Sequence, residues 1–329
     1  MHLEDAHRLM EGLEVYHLRF EVRSLERVQF SGAPGSALRG ALYQALSRQF
    51  CADVGARHLP DHHAACPVCW LLATEDPNQE RGRDLPRPLA IRPPFGATAF
   101  ESGVDWSFGV VLIGQRALAS FPHLVRAVQE MGAGGVGIGR GRFRLLDVHE
   151  ANPLLDTDRS LVSGRQVAPP HTPVTVQQVI ERVATLPSHM LILHFLTPLR
   201  VGEKEHLMRK PDLGVLTRRL LERCQSMAVH YGQPNPLALE RENWRSLSLY
   251  LSDVAESARL IANETHWEDT WSGSRRTGRM SPVGGLVGTA RWEGEIAPLV
   301  PWMLWGQSLQ VGKSTVKGNG WFMVGQGEP

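Results

Sequence analysis

GQSLQVGKSTVKGNGWFMV, residues 306–324, is the stretch whose reading decides the fold. Gly312-Lys313-Ser314 has the ending of a nucleotide-binding P-loop, yet that motif needs a glycine where Gln307 stands. It must also open a long helix whose N-terminus faces the phosphates. Here the chain runs into Trp321-Phe322-Met323-Val324, which reads as a strand. The stretch is therefore a glycine-rich loop feeding a terminal strand. With Lys313 and Lys317 on it, such a loop can lay backbone N–H groups and ammonium charges along a phosphate chain. Gly312, Ser314, Thr315, Gly318 and Gly320 complete this candidate clamp for a polyanion. The competing reading is a glycine-rich turn packed for structural reasons, with its lysines solvated.

Working back from that loop, the second half reads as a strand over 189–199 and a helix over 211–231. Leu213, Leu216, Leu220, Cys224, Met227 and Tyr231 share one face of that helix. A further helix is expected over 244–262, strand-like segments around Gly284-Gly285, and a short helix over 296–305. The first half has the same order. A half-buried strand alternates through Val15–Val22, and Ser36 is a candidate N-cap for a helix reaching Phe50. An apolar strand over 104–113, a helix over 115–131, the run Gly132–Gly141 and a strand over 142–148 follow. Strand, helix, strands, helix, glycine-rich loop, strand, twice over, predicts an α+β fold. Its plan is two tandem ferredoxin-like (RRM-like) domains, each with a glycine-rich loop before its last strand. The expected boundaries are 1–165, a linker at 166–186 that includes a Pro-rich run, and 187–329, with a Cys/His-containing insertion at about 51–86.

Composition narrows the class further. The chain has 329 residues, 42% hydrophobic and 21% charged, as expected of an ordinary globular protein. No apolar stretch is long enough to span a membrane, and the polar, acidic-rich start is unlike a signal peptide. Four cysteines, three of them clustered, do not make a disulfide framework, which points to a reducing cytoplasm. A net charge of +1 does not by itself suggest nucleic acid. All four lysines lie in the second half, at 204, 210, 313 and 317, and every other basic residue is arginine. Arginine suits bidentate phosphate contacts and base stacking, although genomic base composition produces the same bias.

Several stretches, in order, resemble one family. They are Leu38-Arg39-Gly40-Ala41-Leu42; Cys66-Pro67-Val68-Cys69; Pro86-Arg87-Pro88-Leu89; Thr197-Pro198-Leu199-Arg200; and Pro211-Asp212-Leu213 with Arg218-Arg219. Arg275-Arg276, Pro282–Gly288 and Val311–Gly320 complete the set. The chain is similar to the RAMP superfamily of CRISPR-associated proteins, and within it to the endoribonucleases that process precursor CRISPR RNA. The resemblance implies binding of CRISPR repeat RNA and a cut that needs no metal cofactor. The 2′-OH beside the scissile phosphate attacks it, leaving a 2′,3′-cyclic phosphate and a 5′-OH. Such chemistry needs a base, an acid and fixed positive charge on the phosphorane oxygens. The implied alternative is a non-catalytic crRNA-binding subunit, partnered by other CRISPR effector subunits. More distant is a structural zinc protein whose glycine loops contact other proteins.

Candidate side chains follow. Beside the C-terminal loop, RNA contacts are expected from Arg275, Arg276 and Arg279 in a basic run, Lys204 and His206 in another, and Arg140 and Arg142 in the first glycine loop. Each of these is also an ordinary solvated loop in its bland reading. Relatives place a histidine base after the first helix, which implies His58, His62 or His63, and Tyr43 is a candidate acid or orienting group. Cys51, Cys66 and Cys69 with one histidine, His62 foremost, suit a structural zinc site; buried ordinary thiols are the alternative.

Overall fold

The computed structural model of the chain describes residues 3–73, 85–164, 166–203, 206–273 and 280–325. Two compact units emerge. One comprises 16–152 and 157–173, the other 1–15, 153–156 and 174–329.

The first of these units opens with β1 (Val15–Ser24) and β2 (Val28–Gln29), then α1 (Pro34–Phe50). Proline at the first turn starts α1, with Ala33 rather than Ser36 at the cap and no side-chain cap bond. Leu38, Leu42, Ala45 and Leu46 form its buried stripe, as the sequence predicts. Two six-residue helices follow, α2 (Pro60–Ala65) and α3 (Pro67–Leu72). Next come β3 (Leu89–Arg92), β4 (Ala99–Phe100) and β5 (Asp105–Ile113). The helix expected over 115–131 is two, α4 (Gln115–Leu118) and α5 (Phe121–Gly134), broken where Pro122 starts a new helix. β6 (Phe143–Asn152) and β7 (Thr157–Ser160) follow, then the small pair β8 (Val162–Ser163) and β9 (Gln166–Val167). The sheet order β3-β5-β1-β6-β7 is the ferredoxin-like arrangement with one extra edge strand. Glu150, only 2% exposed, ties residues 171 and 172 to β6 through their backbone N–H groups and pairs with Arg159 at 2.8 Å. Burial opposes its charge, but the Thr172 N–H and Arg159 hold its carboxyl below the usual range.

In the other unit, α6 (Val176–Val183) occupies part of the stretch expected as linker. β10 (Met190–Leu199) is followed by the pair β11 (Gly202–Glu203) and β12 (His206–Leu207). Asp212 caps α7 (Leu213–Tyr231), its Oδ1 accepting from the Val215 N–H at 2.8 Å. After α8 (Pro236–Leu239) comes α9 (Arg241–Ser257), which stops short of 262: residues 259–262 already belong to β13 (Arg259–Glu268). Ladder bonds to a neighbouring strand outweigh the helical reading there. β14 (Trp271–Gly273), β15 (Met280–Pro282), β16 (Gly285–Glu293), α10 (Val300–Leu309) and β17 (Phe322–Val324) complete the unit. The order β13-β16-β10-β17, antiparallel throughout, is again ferredoxin-like. Leu9, Met10 and Leu13, at most 1% exposed, bury the N-terminal segment in this unit, and Asn235 donates to the Arg8 carbonyl at 2.7 Å. Among the described residues no helix is long and apolar enough to cross a membrane.

Candidate functional site

The C-terminal glycine loop is a rigid, inward-tied turn. Val311 donates to the Gly320 carbonyl at 3.1 Å, Gly320 to that of Pro198 at 3.1 Å and Lys313 to that of Arg200 at 3.0 Å. Within the loop Lys317 donates to the Ser314 carbonyl at 2.8 Å and Gly318 to that of Thr315 at 2.9 Å. Four positions have positive φ: Gly312 (94°), Ser314 (66°), Gly318 (95°) and Gly320 (70°). A Cβ on Gly320 would lie 1.7 Å from the Val311 carbonyl oxygen, so only glycine lets these backbones meet. Most of the loop's N–H groups thus hold it together, and what it offers outward is the exposed Lys313 at its tip. Thr315 is buried, and Ser314 and Lys317 are half-buried.

Next to this loop stands a basic–aromatic cluster that the sequence does not announce. Arg200, at the end of β10, donates to the Gly284 carbonyl at 3.2 Å, and its guanidinium lies 5.7 Å from the Trp267 ring. Arg209 covers the same ring at 4.5 Å. Trp267 lies on β13, and only the fold brings its ring under two arginines distant from it in sequence. Lys204 and the basic run with Arg275, Arg276 and Arg279 lie outside the described residues. His206 is exposed on β12.

The first glycine loop has a different fate. A Cβ on Gly135, Gly137 or Gly141 would come within 2.2 Å of a backbone oxygen, at Arg140, Gln29 and Arg27 respectively. Arg140 turns its guanidinium onto the Gly134 carbonyl, at 2.9 and 2.7 Å, closing the end of α5. Arg142 pairs with Glu26 at 2.7 Å, which raises its own pKa and lowers that of the carboxyl.

The Cys/His insertion gathers four donors. Cys51 follows α1, His62 lies on α2, Cys66 joins α2 to α3 and Cys69 is on α3. The donor atoms of these four residues lie within 4.8 Å of one another. Burial, with Cys66 and Cys51 adding to it, pushes the Cys69 thiol well above its ordinary value. His63, the next residue on α2, is buried, and the His58 side chain lies outside the described residues. Tyr43, on α1, carries the Arg39 guanidinium 5.2 Å from its ring, and Arg39 donates to the Leu72 carbonyl at 2.8 Å. The proposed histidines and Tyr43 therefore sit on one unit, around the end of α1 and the insertion.

Comparison with known proteins adds to this geometry. Residues 193–322 match the family model of the CRISPR-associated endoribonuclease Cas6, and residues 13–173 match a model described as an N-terminal domain. No curated protein sequence matches the chain. Among solved structures, a Cas6 product complex is 16% identical with a TM-score of 0.56, the likeness covering 94% of this chain and 99% of that one. Thermus thermophilus Cas6 is 14% identical with a TM-score of 0.54, covering 95% and 98%. A partial Cas6-RT-Cas1–Cas2 complex is 13% identical with a TM-score of 0.58, covering 97% of this chain and 47% of that one. At these identities the likeness establishes the fold: two tandem ferredoxin-like units of mixed helix and antiparallel sheet.

Proposed function

We infer that this chain is a CRISPR-associated processing endoribonuclease of RAMP type that binds CRISPR repeat RNA and cuts precursor crRNA, a reading supported by its fold and by the match of residues 193–322. The observation that carries the binding half is the C-terminal loop. Its backbone is fixed by its own hydrogen bonds, so Lys313 is presented at a rigid tip beside Arg200, Arg209 and Trp267. Lysine and arginine there neutralise phosphates, and the Trp267 ring offers a face for an unpaired base. His206 is exposed on β12 in the same unit, and the sequence sets Lys204 close to it and puts Arg275, Arg276 and Arg279 in a second basic run.

In this reading the 2′-OH at the cut site loses its proton to a histidine base as its oxygen attacks phosphorus. The P–O5′ bond breaks, and the departing oxygen takes a proton from an acid. The products are a 2′,3′-cyclic phosphate and a 5′-OH. His58 is the favoured base, followed by His63, with Tyr43 as acid or positioning group. His62 faces the cysteines instead, its Nε2 3.5 Å from the Cys51 Sγ. The first half has no lysine, so the positive charge on the phosphorane comes from arginine, Arg39 lying over the Tyr43 ring. The cut needs no metal ion, and the Cys51–His62–Cys66–Cys69 cluster is a structural zinc seat. None of the four cysteines is in a disulfide, which fits a reducing cytoplasm.

A second reading has its own support. His63 is buried and His62 is turned to the cysteines, which favours a chain that binds the crRNA without cutting it, alongside other CRISPR effector subunits. End-labelled repeat RNA incubated with the protein in EDTA separates the two. Cleavage supports the nuclease, retention of intact RNA supports the binding subunit, and indifference to the RNA removes both.

A further inference from the structure

The insertion between α1 and β3 contains a metal-ligand geometry and a route by which the metal would act on side chains outside it. Zinc bound by thiolates and one imidazole, with bonds of roughly 2.3 Å and 2.0 Å, requires tetrahedral edges of about 3.8 Å between sulfurs and about 3.5 Å between sulfur and nitrogen. The Cys51 and Cys69 sulfurs are 3.9 Å apart, and the Cys51 sulfur is 3.5 Å from the His62 Nε2. Cys66 joins them within the same 4.8 Å limit, and Cys66-Pro67-Val68-Cys69 has the short spacing by which one helix turn delivers two ligands. Cys66 and Cys69 are buried and Cys51 and His62 half-buried, and four protein donors would leave a bound ion no open coordination position, as in structural sites.

The local fold has a use for such a cross-link. Helices of six residues do not persist by themselves, and α2 and α3 are each that short. Of the four donors, Cys51 belongs to the end of α1 and the other three to α2, α3 and their junction, so an ion there would bolt both small helices to the long one. Two arginines depend on where those helices end. Arg39 donates to the Leu72 carbonyl at 2.8 Å and lies over the Tyr43 ring. Arg116 donates to the Ala64 carbonyl at 2.6 Å, its guanidinium 4.3 Å from the Trp70 ring.

We propose that Cys51, His62, Cys66 and Cys69 bind one zinc ion, and that the zinc-closed segment 51–73 is what positions Arg39 beside Tyr43 and Arg116 beside Trp70. The proposal rests on the reading of the cluster as a zinc seat and not on the reading of the chain as a nuclease, so it is tested without RNA. The ion is a fastener here; the two arginines are positioning residues for whatever approaches that face.

The first measurement is metal content of the full chain purified without added metal, with cobalt exchange as the geometric readout. One equivalent of zinc per chain is expected, replaceable by cobalt with the visible bands of a tetrahedral thiolate site. Cys66→Ser with Cys69→Ser should abolish both. Should that variant fail to fold, His62→Ala keeps the three thiols and should bind zinc more weakly while shifting the cobalt spectrum. The second measurement is hydrogen exchange before and after chelation. Loss of zinc should speed exchange in residues 59–73 by roughly tenfold or more, leaving the strands of the sheet protected. Absence of stoichiometric zinc, with Cys51, Cys66 and Cys69 reacting as free thiols or joined as a disulfide, overturns the site. Zinc that is present but whose removal leaves exchange in 59–73 unchanged overturns the positioning role.

Discussion

The two glycine loops are built by the same backbone device but leave their basic side chains in different surroundings. In both, glycines sit where a Cβ would collide with a neighbouring carbonyl, at Gly135, Gly137 and Gly141 in one and at Gly320 in the other. In the first, the basic side chains are spent within the unit: Arg140 on the Gly134 carbonyl and Arg142 on Glu26. In the second, the backbone is tied and Lys313 is exposed with no ion pair among the described residues. A glycine-rich loop is therefore not a phosphate site by composition. What separates the two is that Arg140 and Arg142 are given partners within their unit, whereas Lys313 has no ion pair among the described residues.

The largest effect expected from this comparison is on the scaffold. Gly320→Ala places a methyl group 1.7 Å from the Val311 carbonyl oxygen at a φ of 70°, and should cost about 3 kcal/mol of stability in denaturant unfolding. Gly139→Ala also meets a positive φ, at 73°, but nothing within 4 Å, and should cost only about 1 kcal/mol. Equal losses would show that close approach is not what the second loop needs glycine for.

Next in size is RNA affinity. Lys313→Ala with Lys317→Ala should weaken repeat-RNA binding roughly tenfold and lower its salt slope by about one for each phosphate the lysines had neutralised. Unchanged affinity and slope in a folded double variant would make the second loop as structural as the first. Trp267→Ala should cost about 1 to 2 kcal/mol of binding with little change in salt slope, since stacking carries no net charge. A slope change as large as that of the lysine pair would mean the ring acts by holding Arg200 and Arg209. The smallest effect is expected of Arg140→Ala with Arg142→Ala, which should leave RNA affinity within about twofold. A tenfold weakening would erase the contrast between the loops.

The sequence made the repeated plan legible because the apolar periodicities of α1, α5, α7 and β10 are long and strong, and the terminal strand follows a loop too short for a P-loop helix. Boundaries failed where local propensity and sheet pairing disagree, as at residues 259–262, which carry on the polar–apolar pattern of α9 but pair with β16. Residues 1–15, expected from their position in the chain to belong to the first domain, group with the other unit, where Leu9, Met10 and Leu13 are buried. In the site, Cys66-x-x-Cys69 announced itself by spacing. His62, the histidine put foremost with them, lies on α2 with its ring nitrogen 3.5 Å from the Cys51 sulfur, a distance that sequence spacing does not fix. Trp267 carried no signal at all: its partners are 67 and 58 residues away along the chain, at Arg200 and Arg209.

Cutting by the RNA's own hydroxyl is the central claim, and a single substrate change tests it. Repeat RNA with 2′-deoxyribose at the scissile position keeps every phosphate that the C-terminal loop would hold and lacks only the nucleophile. The protein should bind this RNA as tightly as the natural repeat and leave it intact in EDTA, while cutting the ribose form to a 2′,3′-cyclic phosphate. Cleavage of the deoxy substrate, or cleavage of the ribose form that stops when EDTA is added, would contradict it.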